Sequence, residues 1–402
     1  MSDKKSTFDA TSSMLGYIYQ VRYGLYLGLK KLTEVEDPDE FYISIETLDD
    51  IAFEKNNDPF ELLQTKFHSK QGNLNDKSPD LWKTIRVWVD SIRGGVTKLG
   101  DTCFTLVTTE TASDNSIALS LCGTENKRDT SHALERLRAV ATSKGNVTNI
   151  KGYEAFETLQ PLQQEQLVES IYIIGQSDDL IKIRSMIELQ LRAATQKEHL
   201  DAFVTRLEGI WFKRIIEVMS DTEQHSICLG ELQAIIDDLR PQFLQTNLPI
   251  DFSGADPDSI DVKGDQRNFV NQLRLIDAPS TVIRLAIINY YRAYEQRIKW
   301  SSDGLLKPGE LKQYDKKLME EWLHHKSLLE FGFDLSESEN KIKYAQKLYK
   351  KCQVEGVIPI RPDFKEPYVA RGTYHELADK LTIGWHPEFS VLIEDIEAEG
   401  AA

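Results

Sequence analysis

The sequence predicts an α/β N-terminal domain, with a central mixed sheet flanked by helices, followed by a mainly α-helical C-terminal domain. Over the first 200 residues or so, short runs that alternate every two residues are interspersed with runs that repeat every three or four. Beyond that point the helical period dominates. The length of 402 residues suggests two or three domains, at about 100–200 residues each. We place the N-terminal domain at residues 10–200, the helical domain at 201–395 and a flexible tail at 396–402.

The predicted elements of the N-terminal domain follow the order helix, strand, strand, strand, helix, strand, helix, strand. The first helix is expected at 14–32, where apolar residues recur at helical spacing after residues that can cap it. A composition typical of a turn at 56–59 separates the second and third strands. Strands are expected at 41–46, 50–54, 60–68, 102–109 and 171–174, and further helices at 80–93 and 131–143.

The C-terminal domain is predicted from helical periodicity, interrupted by an Asp-, Gly- and Pro-rich connector at 249–265. Four prolines within 357–392 predict an irregular capping segment with one helix at 374–381. The acidic tail is expected to fray. The other helices are expected at 178–195, 198–219, 229–240, 279–299, 309–329 and 337–354.

The composition excludes several classes of protein. Acidic residues outnumber basic ones by 64 to 48, a formal net charge of −16, which argues against a nonspecific, histone-like coat on DNA. A local basic groove stays open, because net charge is an average over the surface. Hydrophobic residues make up 41%, enough to bury a core and exclude intrinsic disorder. The four cysteines are far apart and form no CxxC or Cys/His cluster, so we expect reduced thiols and no zinc site.

The sequence also predicts the cellular compartment of the protein. Residues 1–13 are polar and lack the apolar core of a signal peptide, and no apolar run approaches the roughly 20 residues needed to span a bilayer. We therefore expect a cytoplasmic protein that does not bind membranes. Walker A, GxGxxG and GxSxG motifs are absent, which argues against nucleotide hydrolysis. The string at 375–379 begins like the zinc-protease motif HExxH but ends in Asp, so a metalloprotease is not expected.

Polar residues on two neighbouring predicted strands form the candidate catalytic set. Asp50 opens one strand, and Gln64 and Lys66 lie on the next. Gln64 and Lys66 share one face, because side chains along a strand repeat every two residues. If the two strands pair as a hairpin, Asp50 comes beside both of them at the edge of the sheet.

This set suits metal-assisted cleavage of a phosphodiester. Asp50 offers a charged oxygen ligand and the Gln64 amide a neutral one to Mg²⁺, with Mn²⁺ as the alternative ion. Such a metal polarises the phosphate and lowers the pKa of bound water, while Lys66 can orient that water or stabilise charge on the phosphate. Glu46 can bind the same metal or a second one, and Gln20 on the first helix is a further candidate for touching the site. Most QxK strings are solvated strand faces, so the spacing alone leaves a non-catalytic role open.

Four strings of the sequence carry a resemblance, at residues 16–20, 45–51, 64–66 and 81–84. Taken together, they resemble the N-terminal nuclease domain of bacterial antiphage effectors in the PD-(D/E)XK, restriction-endonuclease-like superfamily. The similarity, over about residues 10–200, is to the branch found in CBASS and Lamassu systems, which also has Gln where the superfamily usually has Asp or Glu. It implies a restriction-endonuclease-like fold, DNA as substrate, and Asp50, Gln64 and Lys66 as the catalytic residues, with Glu46 as an added metal ligand.

A second resemblance lies near the C-terminus. Residues 370–379 (ARGTYHELAD) and 384–387 (GWHP) are similar to the C-terminal domain of ABC-three-component defence effectors, and the two resemblances together match the nuclease subunits of Lamassu. They imply an SMC-like ABC ATPase and a small third subunit as partners, which restrain the nuclease until foreign DNA ends are sensed. They also imply that the released nuclease forms homo-oligomers and degrades DNA. No hallmark of a cyclic-nucleotide-binding domain is recognisable in the C-terminal half, which favours Lamassu over CBASS.

One alternative function stays open at this point. The chain can be a non-catalytic adaptor that uses a degenerate nuclease fold as an interaction module. Gln64 in place of a carboxylate and the long helical half motivate this hypothesis. The two hypotheses differ on metal, because an adaptor should not bind Mg²⁺ or Mn²⁺ at Asp50.

Overall fold

The computed structural model describes residues 11–56, 58–68, 72–123 and 128–400, which divide into two compact units. The first unit contains the described part of 1–194 together with 203–238, and the second contains 195–202 together with the chain from 239 onward. The predicted class, an α/β part with a sheet followed by a mostly helical part, is confirmed. The division lies near 238 rather than at the expected 200, because residues 203–238 add two helices and a strand to the first unit.

The first unit contains all the strands of the described chain. The expected elements are present, each within a few residues of its predicted bounds, and several short helices and strands are added. In chain order, its elements are α1 (Thr11–Leu32), β1 (Phe41–Ile45), β2 (Ile51–Lys55), β3 (Asp58–Lys66), β4 (Asn73–Leu74), α2 (Pro79–Arg93), β5 (Cys103–Thr108), β6 (Thr111–Ala112), α3 (Ile117–Ser120), α4 (Thr130–Ser143), α5 (Ile150–Glu157), α6 (Pro161–Ser170), β7 (Ile171–Ile174), α7 (Leu180–Leu191), α8 (Leu200–Ser220), β8 (Ile227–Cys228) and α9 (Leu229–Leu239).

The main sheet has six strands in the order β7-β5-β3-β2-β1-β8, and β4 and β6 form a separate small sheet. Strands β3, β5 and β7 run parallel, whereas β8, β1, β2 and β3 pair antiparallel. The expected hairpin of the second and third strands is present, with Ile51 opposite Leu63. Strand β3 is interior, so its carboxyl end lies beside that of β5, where Lys66 is opposite Thr108. The candidate residues therefore lie at the end of a central strand and not on an edge strand.

Helices cover both faces of this sheet. The apolar stripe of α2 packs on one face, where Trp88 lies against Phe104 of β5 with ring centroids 5.3 Å apart and Leu62 of β3 joins the same buried core. Helix α1 packs on the other face, where Gly24 lets the helix approach Ile45 closely. Residues of β3 alternate between the two faces. Gln64 therefore shares the α2 face with Leu62.

The second unit is helical and its core lies between α11 (Ser280–Ser302) and α14 (Pro367–Asp379). Pro367 occupies the first turn of α14, where a proline has no N–H bond to lose, so the helix is longer than the expected 374–381. The expected connector at 249–265 contains no helix or strand. The elements are α10 (Asn268–Leu275), α11 (Ser280–Ser302), α12 (Glu310–Glu330), α13 (Ser338–Val354), α14 (Pro367–Asp379) and α15 (Phe389–Gly400).

The C-terminal residues differ from the expected flexible tail. The flexible tail expected at 396–402 is instead helical as far as Gly400, as the last turn of α15, and 401–402 lie outside the described residues. Among the helices of the described chain, none combines the length and the apolar character needed to cross a membrane.

Candidate active site

The loop between β1 and β2 places two adjacent carboxylates over the end of β3. The loop is closed by a hydrogen bond from the Glu46 amide to the Asp50 carbonyl, 3.2 Å long. Glu46 adopts a left-handed backbone with φ 58°, which turns the chain sharply after β1. Asp49 and Asp50 lie directly before β2, next to the Ile51–Leu63 pair of the hairpin, and both accept hydrogen bonds from Gln64 Nε2.

The three predicted catalytic residues are in contact through their polar atoms. Gln64 Nε2 donates to Asp50 Oδ1 at 3.0 Å, and Lys66 Nζ donates to Gln64 Oε1 at 2.6 Å. The ammonium also lies 3.2 Å from the Thr65 carbonyl oxygen and 3.7 Å from Asp50 Oδ2. The predicted shared face of Gln64 and Lys66 is thus confirmed, and one carboxylate, one amide and one ammonium converge at the end of β3.

Asp50 is held in place by β3 itself. Its Oδ2 accepts from the Thr65 amide at 2.7 Å and from the Thr65 hydroxyl at 3.0 Å. The Thr65 amide belongs to the backbone and cannot rotate away as a side chain can, so the Asp50 carboxylate is fixed relative to the strand that carries Gln64 and Lys66. The hairpin therefore pre-organises the position of this carboxylate.

A second carboxylate, Asp49, lies beneath this group in the core. Its side chain accepts from Gln64 Nε2, from the Asp50 amide at 2.9 Å and from Trp88 Nε1 at 2.9 Å. Asp49 is 7% exposed. Burial raises the pKa of the Asp49 carboxyl to about 6, against these hydrogen bonds, which lower it.

Glu46 and Gln20 extend the site toward α1. Burial and the nearby Asp50 charge raise the pKa of the Glu46 carboxyl, while a hydrogen bond with Gln20 and the Lys66 charge lower it. The Gln20 side chain is buried, and its Oε1 has no hydrogen-bond partner among the described residues. An orphaned amide oxygen on a side chain that contacts the Glu46 carboxylate is free to serve as a ligand or to bind a water.

The donor atoms of this site fit a hard divalent cation. Asp50, Gln64, the Thr65 carbonyl and Glu46 offer oxygen, the donor type that Mg²⁺ and Mn²⁺ prefer. The Lys66 ammonium already lies among three of these oxygens, so their arrangement accommodates positive charge. The orphaned Gln20 oxygen adds one more candidate ligand nearby.

Another group of ligand-type side chains lies just beyond β3. His68, Asp80 and Glu110 each place one donor atom within 4.8 Å of the others, and His68 Nε2 lies 2.7 Å from Asp80 Oδ2. This group mixes imidazole nitrogen with carboxylate oxygen, whereas Mg²⁺ prefers oxygen alone. We therefore expect magnesium at Asp50, Gln64 and Glu46. We interpret the His68–Asp80 pair as a contact that joins the chain after β3 to α2.

The sequence identifies the convergent residues but misses two of their supports. The pattern does not single out Asp49, because adjacent aspartates look alike until Trp88 of α2 shows which one is buried. In the pattern Thr65 is only a spacer, although it donates twice to Asp50. A signal is present for Thr65, since a hydroxyl residue between Gln and Lys at the end of a strand can reach across the hairpin.

The fold and site define a two-unit protein in which an α/β unit with a carboxylate, amide and ammonium site is joined to a helical unit. The family model described as C-terminal domain 7 of the ABC-three component (ABC-3C) systems matches residues 269–393 of the helical unit. This match confirms the predicted similarity of the C-terminal part to those systems. The match concerns the helical unit and does not extend to the α/β unit.

Solved structures of an Acinetobacter baumannii receptor, Cap4, which contains a SAVED/CARF domain, are similar to the chain at low identity. The first is 13% identical with a TM-score of 0.30, and the match covers 71% of this chain and 61% of that chain. Complexes of Cap4 with the cyclic trinucleotides 2′3′3′-cAAA and 3′3′3′-cAAA are 12% identical with TM-scores of 0.30, covering 70% of this chain and 66% and 69% of theirs. The chain thus spans about 61% of the length of the first structure. No curated protein matches the chain.

Proposed function

We propose that this chain is a divalent-metal-dependent DNA nuclease with a restriction-endonuclease-like, PD-(D/E)XK-type first unit. It acts as the effector of an ABC-three-component antiphage complex of the Lamassu type, similar to the nuclease subunit LmuA. The observation that carries the proposal is the convergence of Asp50, Gln64 and Lys66 at the end of β3. The match of the second unit to an ABC-three-component domain supports the defence role.

Each residue of the site has a distinct part in this proposal. Asp50 and Gln64 would hold Mg²⁺, or Mn²⁺, through oxygen, with Glu46 as a further ligand. A bound ion would supply polarisation of the phosphate and a lowered pKa for water. Lys66 would place its ammonium against the negative charge that builds on the phosphate. Thr65 would keep the Asp50 carboxylate in one orientation throughout.

The proposed partners follow from the Lamassu resemblance and from the domain matched in the second unit. An SMC-like ABC ATPase and a small third subunit would bind the chain through its helical unit and restrain it in the cytoplasm. Release on sensing foreign DNA ends would allow homo-oligomers to form and to cleave DNA. Restraint is needed because a free nuclease in the cytoplasm would also cut the DNA of its host.

An adaptor without catalysis is the second candidate, and one observation favours it. The Lys66 ammonium is satisfied by Gln64 and Thr65, and the Gln64 amide by two carboxylates, so the network is complete without a metal. An adaptor would keep this closed network. It would bind neither Mg²⁺ nor Mn²⁺ at Asp50.

Plasmid cleavage by the purified chain separates the two candidates. We expect wild type to nick or linearise supercoiled plasmid with Mg²⁺ at concentrations that allow self-association, and Lys66→Ala to be inactive. Lys151→Ala, an exposed lysine on α5, is the matched control and should cleave as wild type does. If wild type and Lys66→Ala are equally inert at every concentration, with and without the partner subunits, the nuclease proposal is wrong. Asp50→Ala should also abolish antiphage protection, whereas an adaptor would retain it.

A further inference from the structure

Asp49 is a buried carboxylate with no assigned part in the chemistry, yet it contacts the proposed metal ligand. It accepts hydrogen bonds from Gln64 Nε2, from Trp88 Nε1 and from the Asp50 amide. An ionised carboxylate offers acceptors only. Whatever group residue 64 presents to Asp49 must therefore be a donor.

This requirement determines the orientation of the Gln64 amide. Its Nε2 group has two hydrogens, and the two acceptors within reach are Asp49 Oδ1 and Asp50 Oδ1. With both hydrogens used, Oε1 points the other way, where Lys66 Nζ lies 2.6 Å from it. A reversed amide would place a carbonyl oxygen against two carboxylates and an N–H group against an ammonium, and both contacts are repulsive.

Asp49 is itself held rigidly. Trp88, the donor to its second oxygen, is fully buried in the stripe of α2 that covers the sheet. The amide of Asp50 fixes the first oxygen through the backbone. Asp49 therefore connects the Gln64 amide to α2, through Trp88, and to the backbone of the hairpin, through the Asp50 amide.

We propose that Asp49 is a positioning residue that sets the orientation of the Gln64 amide and so presents Gln64 Oε1 as the metal ligand. The inference rests on the metal-dependent function proposed above. It gives a physical reason for glutamine at residue 64: a glutamate there would place a third carboxylate against Asp49 and Asp50, and the repulsion would have to be relieved by binding a proton. Asp49 and Gln64 therefore act as a buried pair, in which Asp49 carries the negative charge and Gln64 is neutral.

Exchanging the carboxylate and the amide between residues 49 and 64 tests this pair. Asp49→Asn replaces one acceptor oxygen by a donor and removes the charge, so residue 49 can no longer accept from Gln64, Trp88 and the Asp50 amide at once, and the orientation of the Gln64 amide is no longer enforced. Gln64→Glu brings the third carboxylate. In the double variant, the introduced asparagine can donate through its amide N–H to the introduced glutamate while its oxygen still accepts from Trp88. This restores the contact between residues 49 and 64 with its direction reversed, but the Asp50 amide loses the acceptor that it has in wild type.

The measurement is Mn²⁺ affinity of the full chain by calorimetry, with the metal alone as the probe. We expect each single variant to lose about 10–100-fold in affinity, the usual range for groups that orient a metal ligand, and the double variant, which recovers one of the contacts, to bind Mn²⁺ more tightly than either single variant. Asp76→Asn is the matched control, because Asp76 is also a buried carboxylate, bonded to the Ile117 amide and to Arg136. It should lower stability and leave Mn²⁺ affinity unchanged.

A metal-free readout separates this inference from the nuclease proposal. In wild type labelled with ¹⁵N-glutamine, the side-chain protons of Gln64, assigned by their absence in Gln64→Glu, should exchange slowly, and Asp49→Asn should remove that protection. If the Gln64 protons are protected but the protein binds no Mn²⁺, the proposed metal site is wrong, whereas the orientation of the Gln64 amide by Asp49 is still supported. Unprotected protons in wild type, wild-type affinity in Asp49→Asn, or a double variant no better than the single ones would overturn the inference.

Discussion

The Lys66 ammonium lies 2.6 Å from Gln64 Oε1, so the oxygen proposed as a metal ligand already contacts a cation. The same ammonium is 3.2 Å from the Thr65 carbonyl oxygen and 3.7 Å from Asp50 Oδ2. These are oxygens that a hard divalent ion would use. Lysine and metal would therefore compete for one set of donors, and the flexible lysine stem must move the ammonium aside when an ion binds.

Removal of this ammonium should separate cleavage from metal binding. Lys66→Met keeps most of the aliphatic stem but removes the charge. We expect the cleavage rate to fall by about 10²–10³-fold, as for loss of a group that stabilises transition-state charge, while Mn²⁺ affinity stays equal to that of wild type or rises. Single-turnover cleavage and calorimetry check the two parts. Lys151→Met is the control, and a parallel fall of rate and affinity would contradict the competition between lysine and metal.

Asp50→Asn should have the opposite signature. The substitution removes a carboxylate that would carry the charge of the metal site, although an asparagine oxygen can still accept from Thr65. We expect Mn²⁺ affinity to fall by at least about 100-fold, and cleavage to fall with it, in a protein that still folds. Calorimetry with a circular-dichroism melt checks both statements. Retained affinity in Asp50→Asn would assign the metal elsewhere, with His68, Asp80 and Glu110 as the next group to vary.

The hairpin that carries the site is predictable because its information is local. Alternation fixes which residues of β3 share a face, and the turn at 56–59 fixes the pairing of β2 with β3. Asp49 cannot be distinguished in this way. Its role depends on Trp88, 39 residues further along the chain, and on the packing of α2 over the sheet, neither of which a two-residue period contains.

Long-range pairing also explains the misplaced domain boundary. Strand β8 is only two residues long, Ile227–Cys228, and joins the sheet through Tyr42 and Ile43 of β1. A pair of residues is too short to show a period, so only the helical period of its neighbours is visible in the sequence. Pro367 misleads for a different reason, because a proline is typical both of irregular chain and of the first turn of a helix.

Gly372 should be essential for the packing of the second unit. A Cβ at this position of α14 would overlap the Asn289 carbonyl oxygen and Ala293 Cβ, both on α11. Neither atom can rotate away, so Gly372→Ala must push the two helices apart. We expect the free energy of unfolding to fall by about 3 kcal/mol. This loss is net of the roughly 1 kcal/mol by which alanine favours a helix relative to glycine.

Urea unfolding of the full chain measures this effect. Gly254→Ala is the control, because a Cβ there meets nothing within 4 Å and the substitution should change stability little. Equal stability of Gly372→Ala and wild type would show that α11 and α14 separate freely.

His375 should make the second unit sensitive to acid. The ring lies among Phe269, Tyr349 and Trp385, and neither ring nitrogen has a hydrogen-bond partner among the described residues. Burial, with a smaller contribution from the Arg267 charge, lowers the pKa of His375 to about 3. In an unfolded chain the histidine pKa is about 6.5.

Below about pH 6.5 the unfolded chain therefore binds a proton that the folded chain does not, and stability falls as the pH falls. The loss is about 1.4 kcal/mol per pH unit for this one group, or roughly 2 kcal/mol at pH 5. His375→Phe keeps an aromatic ring and removes the titration, so its unfolding free energy should vary less steeply between pH 8 and pH 5. Urea unfolding across that range measures both slopes, and the values at pH 8 isolate the packing difference, because His375 is neutral there in both states. If the variant shows the slope of wild type, the acid sensitivity arises from other groups.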